Sequence, residues 1–231
     1  MTAPLWNLPT DHAVLAEHVA LAGTRAVDVG AGAGGLVRFL REQGADPIGV
    51  ECGAAMMAQA LKADPEHHEA YVDGVGQDLP LDDATADLVV FSYSLHHVAQ
   101  EDIPAALSEA ERVLRTGGTL AVLEPIAEGP GHETLKLIED ETGVRAATQA
   151  ALDNDMPATM IERDEVRYTT SYSYVDVAEL EKDMADIDPE RRAAFDAVKD
   201  EVDELFHANA VEHDGAYWFA QPVIMRLFTK G

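Results

Sequence analysis

The sequence predicts a doubly wound, mostly parallel α/β sheet, and three observations carry that expectation. Short apolar runs alternate with helix-period stripes through the first 125 residues, a glycine-rich turn follows the first run, and Asp87 to Ser92 is apolar enough to be buried on both faces. Arg25 to Val29 is the first strand, and Leu36, Phe39 and Leu40 then repeat at the spacing of one helix face. Pro47 to Val50 is the second strand, Met57, Ala60 and Leu61 mark the second helix, and Ala70 to Asp73 the third strand. After Asp87 to Ser92, a stripe of Ile103, Leu107, Ala110, Val113 and Leu114 runs to Gly117–Gly118, and Thr119 to Leu123 is the fifth strand. Strands joined through helices need right-handed crossovers, which places helices on both faces of the sheet.

Beyond Glu124 the pattern changes. Glu133 to Leu152 reads as a helix, and Val166 to Tyr174 as a strand with Tyr168, Tyr172 and Tyr174 on one pleat face. Asp188–Pro189 has the form of an N-cap with proline at the first helical position, opening a helix with the stripe Phe195, Val198, Val202, Leu205, Phe206. Val223 to Thr229 is the seventh strand, started by Pro222. The last two strands are therefore separated by a largely helical insert, residues 176–216. An N-terminal helix over Asp11 to Leu21, with Trp6 and His12, packs against the sheet or covers its ligand edge.

The chain has 231 residues, 47 % of them apolar, enough for one domain with its own core. Forty-three acidic against sixteen basic residues give a formal charge of −27. That field disfavours nucleic-acid backbones and anionic membrane surfaces. The single Cys52 makes no intramolecular disulfide, which fits a reducing, cytoplasmic setting. No secretory signal is read at the start, and the longest apolar candidate, Ala86 to Val98, contains Asp87 and two histidines and is too short to span a bilayer.

In sheets of this class ligands bind beyond the carboxyl ends of the strands. There the segment AVDVGAGAGGL, Ala26 to Leu36, supplies Gly30, Gly32 and Gly34, which permit a tight turn and close approach of a ligand to the backbone. Gly30, Gly32 and Gly35 also fit the dinucleotide spacing, with Glu51 21 residues after Gly30, so an NAD(P)-dependent oxidoreductase of Rossmann type is the competing reading. Asp28 separates the two. A carboxylate beside this turn repels a pyrophosphate and attracts a ligand carrying positive charge.

VDVGAGAGG resembles the first motif of class I S-adenosylmethionine (SAM) dependent methyltransferases. PIGVE, ending at Glu51, is similar to the acidic second strand that holds both ribose hydroxyls in that family. Gly74 to Val98 (GVGQDLPLDDATADLVVFSYSLHHV) resembles the third and fourth motifs of its small-molecule branch, the methyltransferases of ubiquinone and menaquinone biosynthesis known as type 11. RVLRTGGTLAVLEP, Arg112 to Pro125, resembles the closing helix, glycine turn and fifth strand. The resemblance implies a Rossmann-like, seven-stranded methyltransferase domain over 1–231, with a SAM-binding core at 20–125 and a C-terminal part at 126–231. It implies a cofactor site of Asp28, Gly30, Ala31, Gly32, Gly34, Glu51, Cys52, Gly76, Gln77, Asp78, Leu79 and Ser92. One departure is Val75, which stands where the family usually has an acidic residue for the adenine amine, leaving that task to Gly76 and Gln77.

The implied reaction is direct displacement at the SAM methyl carbon by a small-molecule acceptor, releasing S-adenosylhomocysteine (SAH). His97 is the candidate general base, with His96 as its neighbour control and Tyr93 and Glu124 as further acceptor-side candidates. A SAM-binding protein without catalysis has the same glycine loop and is the third reading. No metal site is expected, since His67–His68 lacks ligand spacing. The insert is a candidate lid or homodimer element, because its apolar stripe must be covered by the domain, a substrate or a second copy.

Overall fold

The computed structural model describes residues 3–187 and 190–231. In chain order its elements are α1 (Asp11–His18), β1 (Arg25–Val29), α2 (Gly35–Glu42), β2 (Asp46–Glu51), α3 (Ala54–Ala63), β3 (Tyr71–Asp73), β4 (Ala86–Ser92), α4 (Ile103–Val113) and β5 (Leu114–Pro125). There follow α5 (Gly129–Leu135), α6 (Thr142–Asn154), β6 (Met160–Tyr174), α7 (Val177–Ile187), α8 (Glu190–Ala197), α9 (Lys199–Asn209), β7 (Val211–His213) and β8 (Ala216–Lys230). The strands order as β3-β2-β1-β4-β5-β8-β6, with β7 paired to β8. The chain divides into two compact units. One comprises His12–Glu124, Ala146–Val166 and Ile224–Gly231, and the other Met1–Asp11, Pro125–Arg145 and Arg167–Val223.

The first unit holds the doubly wound sheet that the alternation of runs and stripes predicts. β1 pairs in parallel with β2 and β4, β2 with β3, and β4 with β5. Its core forms because α4 carries Ile103, Ala106, Leu107, Ala110 and Val113 on one face, all buried against Val89, Phe91, Leu120 and Val122 of the sheet. Burying one such leucine or phenylalanine contributes roughly 1.5–3 kcal/mol. On α2 the buried residues are Leu36, Val37 and Leu40, while Phe39 stacks on His12 at 4.7 Å between ring centroids.

α4 ends at Val113, four residues before the glycines expected to stop it. The chain turns directly into β5 and absorbs Arg115 to Gly118 as a bulge, where the register with β4 jumps from Ala86↔Leu114 to Leu88↔Thr119.

The second unit is built around its own apolar cluster. Phe195, Val202 and Phe206 of the insert are buried with Leu180, Met184, Ile138 and Phe219. Tyr172 and Tyr174, which share a pleat face as their spacing predicts, pack on the same cluster. Three local expectations are corrected. The helix expected over Glu133 to Leu152 is two, α5 and α6, because the Asp140 carboxylate accepts the Thr142 N–H and restarts the helix there. The stripe Phe195 to Phe206 belongs to α8 and α9, broken at Val198, whose dihedrals (φ −126°, ψ 22°) are not helical. Pro222 lies inside β8 and not at its start, and its carbonyl accepts the Ile126 N–H at 2.9 Å. The expected cap at Asp188–Pro189 lies outside the described residues.

Candidate active site

Every residue singled out from the sequence as cofactor-binding or catalytic lies in the first unit, at or just beyond the carboxyl ends of β1, β2, β3, β4 and β5. β1 delivers Asp28, only 2 % exposed, two residues before Gly30, where the turn begins. Burial and the negative charge of Glu51 push its carboxyl up to about 7. An unliganded Asp28 is therefore poised between its two forms at neutral pH, where a neighbouring cation decides its charge.

The glycines of the turn have distinct jobs. Gly30, Gly32 and Gly34 all have left-handed φ (77°, 54° and 76°), which an L side chain strains to adopt. A Cβ at Gly30 would lie 2.5 Å from the Ser94 Cβ, and one at Gly34 2.5 Å from the Tyr71 hydroxyl. These two glycines are thus required by the protein's own packing. A Cβ at Gly32 would meet no atom within 4 Å, so Gly32 alone fits the expectation that a glycine keeps the backbone open to a ligand. The Gly30 and Ala31 amides both bond the Val50 carbonyl, at 2.8 and 3.0 Å, which ties the turn to β2.

β2 ends in Glu51, buried and held by two backbone donors. Gly32 N–H donates to its Oε2 at 2.7 Å and Gly53 N–H to its Oε1 at 2.6 Å. The carboxylate thereby spans the glycine turn and the start of α3 in a fixed orientation. Cys52, next in sequence, is exposed.

After β3, Gly76 is buried, Gln77 half-buried and Asp78 exposed, with Val75 and Asp78 closing a small antiparallel bridge. Sequence reasoning missed what holds this loop. Glu109 Oε2 accepts the Leu79 N–H at 2.8 Å, while Arg112 of α4 donates to the carbonyls of Leu79 and Leu81 and to Asp83. The signal was present in the spacing, since Glu109 and Arg112 are three apart on one helix face and also bond each other.

At the end of β4, Ser92 is half-buried and Tyr93 takes φ 57°, a conformation rare for a bulky residue and a mark of a constrained site. Ser94, also missed from the sequence, donates its hydroxyl to the Val29 carbonyl at 2.5 Å and clamps β4 onto the glycine turn. The two histidines follow on a short 3₁₀ turn. Their rings lie 4.1 Å apart between centroids at an interplanar angle of 42°, so they contact each other instead of diverging as on an α-helix. His96 is buried and its Nδ1 bonds the Glu124 carboxylate from the end of β5; Glu124 also accepts the Leu95 N–H at 3.2 Å. His97 is exposed. Glu124 thus supports His96 and does not stand alone. His67 and His68 are engaged locally, with the Asp64 carboxylate and the Leu61 carbonyl.

Comparison with known proteins bears on the fold and the family. Residues 27–122 match the family described as methyltransferase domain. An uncharacterized methyltransferase of Synechocystis sp. is 28 % identical over 114 residues, 49 % of this chain and 53 % of that protein. Demethylmenaquinone methyltransferase of Roseiflexus castenholzii is 35 % identical over 102 residues, 43 % of this chain and 42 % of that protein. The chain spans about half the length of these curated relatives. Among solved structures, a Bacillus halodurans C-125 protein provisionally assigned as a methyltransferase superposes with a TM-score of 0.64 at 19 % identity, covering 96 % of this chain and 99 % of the other. The fold is the Rossmann-like fold of class I methyltransferases, and the match to the methyltransferase-domain family covers residues 27–122.

Proposed function

We propose that this protein transfers a methyl group from SAM to a small-molecule acceptor by direct displacement at the methyl carbon. The observation that carries the reading is the Glu51 carboxylate, held by the Gly32 and Gly53 amides beside the buried Asp28 at the mouth of the glycine turn. Two acidic groups at that edge suit a ligand with ribose hydroxyls and a positively charged methionine end, and oppose a pyrophosphate. SAM supplies the activated methyl group. In this reading Glu51 accepts the ribose hydroxyls, Asp28 faces the ammonium end, and the segment Gly76 to Leu79 receives the adenine.

On the acceptor side, the exposed His97 is the group placed to accept a proton from the acceptor, and the buried His96–Glu124 pair positions it through ring contact. Tyr93 and Ser92 line the same strand end. Much of the rate enhancement comes from holding acceptor and methyl in line and keeping water out.

Calorimetry with SAH and NADH tests the reading. SAH binds, NADH does not, and Glu51→Ala weakens SAH by roughly 2–3 kcal/mol for two lost charge-assisted hydrogen bonds. Binding of NADH, or unchanged SAH affinity in the variant, overturns it. With an acceptor found by mass spectrometry of labelled-SAM incubations, His97→Ala lowers the chemical step by about 10²–10⁴-fold at unchanged SAH affinity. SAH binding with no methyl transfer to any acceptor would favour a binding protein instead.

A further inference from the structure

The glycine turn of the first unit is closed on one side by a tyrosine. Tyr71, at the start of β3, is buried, and its ring packs with Ala31, Val37, Ala60 and Ala70. Its hydroxyl lies 2.5 Å from where a Cβ at Gly34 would fall, and its ring 3.2 Å from the corresponding point at Gly49 of β2. Gly34 opens α2, and no side chain caps that helix. Tyr71 thus fills the space between the turn and β2 that these two glycines leave.

The hydroxyl is itself tied down. It donates to Asp64 Oδ2 at 3.1 Å, and that buried carboxylate also accepts from Arg41 Nη1 at 2.6 Å and meets His67 Nδ1 at 2.7 Å. Burial pushes the Asp64 carboxyl up, but hydrogen bonds from Arg41, His67 and Tyr71 outweigh it and hold the group down at about 2. Burial and Asp64 push the Tyr71 phenol up, so the hydroxyl keeps its proton and remains a donor at neutral pH. Arg41 stands three residues after Arg38 on α2, and Arg38 Nη1 donates to the Ala33 carbonyl inside the turn at 2.8 Å. Asp64, at the end of α3, is therefore an anchor that reaches the turn by two routes. One is the Tyr71 hydroxyl against Gly34, and the other is α2, whose Arg41 bonds Asp64 and whose Arg38 bonds Ala33.

We propose that Tyr71 is a positioning residue for the cofactor, holding the glycine turn against β2 so that Gly32 stays open to the ligand with its N–H on Glu51. The inference rests on the reading of that turn as the SAM site. The start of the turn is fixed by hydrogen bonds from Gly30 and Ala31 to the Val50 carbonyl, whereas its end at Gly34 rests on the Tyr71 hydroxyl. Without that hydroxyl the ring keeps its packing and Asp64 keeps Arg41 and His67, so what is lost is the tie between Asp64 and the turn. Gly32, with nothing within 4 Å of its Cβ position, is where a loosened turn shows first.

The test uses the full chain with SAH as the probe, and its readouts are SAH affinity by calorimetry and amide hydrogen exchange of the ligand-free chain by nuclear magnetic resonance. Tyr71→Phe weakens SAH about fivefold, as the loss of one hydrogen bond does, and speeds exchange at Gly32 while the amides of β1 and β4 keep their protection. Asp64→Asn does the same, and the double variant is no weaker than the weaker single one, because both remove the same tie. Tyr174→Phe, which removes a hydroxyl bonded to the Asp183 carboxylate at 2.9 Å in the second unit, leaves both readouts unchanged. Wild-type SAH affinity in Tyr71→Phe, unaltered exchange at Gly32, additive losses in the double variant, or lost protection throughout β1 and β4 each overturn the proposal, the last two by assigning Tyr71 to general stability. Should Tyr71→Phe fail to fold, Asp64→Asn decides by the same readouts. If the unaltered chain binds no SAH, the methyltransferase reading falls, and exchange at Gly32 alone decides whether Tyr71 positions the turn.

Discussion

Asp28 is the residue whose environment makes the sharpest prediction. Its carboxyl is raised by burial and by Glu51 to about 7, against 3.8 when unfolded. The folded chain thus holds a proton that the unfolded chain has lost, and this residue's contribution to stability falls as pH rises from about 4 to about 7. A bound ammonium group reverses the balance by favouring the ionised form. SAH binding should therefore release close to one proton below pH 7, and affinity should rise about tenfold from pH 6 to its plateau above pH 8. Calorimetry in buffers of different ionisation enthalpy measures the proton directly. Asp28→Asn should abolish both effects, and an undiminished proton release in that variant would assign the titration elsewhere.

The glycines make a second residue-scale point. Their pattern in the sequence locates the turn, but which glycine answers to the ligand is decided by Ser94 and Tyr71, which stand 64 and 37 residues further along the chain and close on Gly30 and Gly34. Pattern alone places His96 and His97 on equal terms. Only the arrival of Glu124 from β5 makes one a buried, carboxylate-bound ring and leaves the other exposed.

Among the elements, α8 and α9 were legible as one apolar stripe needing a cover, and their own unit supplies one. Phe206 is fully buried, packing on Phe219 at 5.1 Å and Tyr217 at 5.2 Å between ring centroids. Phe206→Ala should cost about 3–5 kcal/mol of local stability, as large-to-small changes in packed cores do. Hydrogen exchange should report it as faster exchange across α7 to α9 and the facing part of β8. Unaltered protection there would mean that this cluster is not the core of the second unit. The break between α8 and α9 was not legible, because the stripe keeps its helical period straight across Val198.

For the molecule as a whole, the charge of −27 is the dominant property beyond the fold. Self-repulsion among so many acids weakens the compact state, and salt screens it. The melting temperature should rise between 10 mM and 1 M sodium chloride, by about 2–4 °C for each kcal/mol of repulsion relieved. A flat response would mean that pairs such as Arg112–Glu109 and Arg226–Glu162 already offset the excess. What the sequence by itself determined was the order and type of the sheet-forming elements other than β7, a short strand inside the segment read as a helical insert, and the segments that end at the ligand edge. Hydrophobic period and glycine position are local properties, readable over ten or fifteen residues. Tertiary structure alone decided which groups meet: Glu51 with Gly32, Ser94 with Val29, Glu109 and Arg112 with the loop after β3, and His96 with Glu124. Such partners are up to 65 residues apart, and no periodicity within either segment encodes the hydrogen bond that joins them. They follow from strand order and register, which bring distant side chains to one edge and leave each buried donor to find its acceptor there.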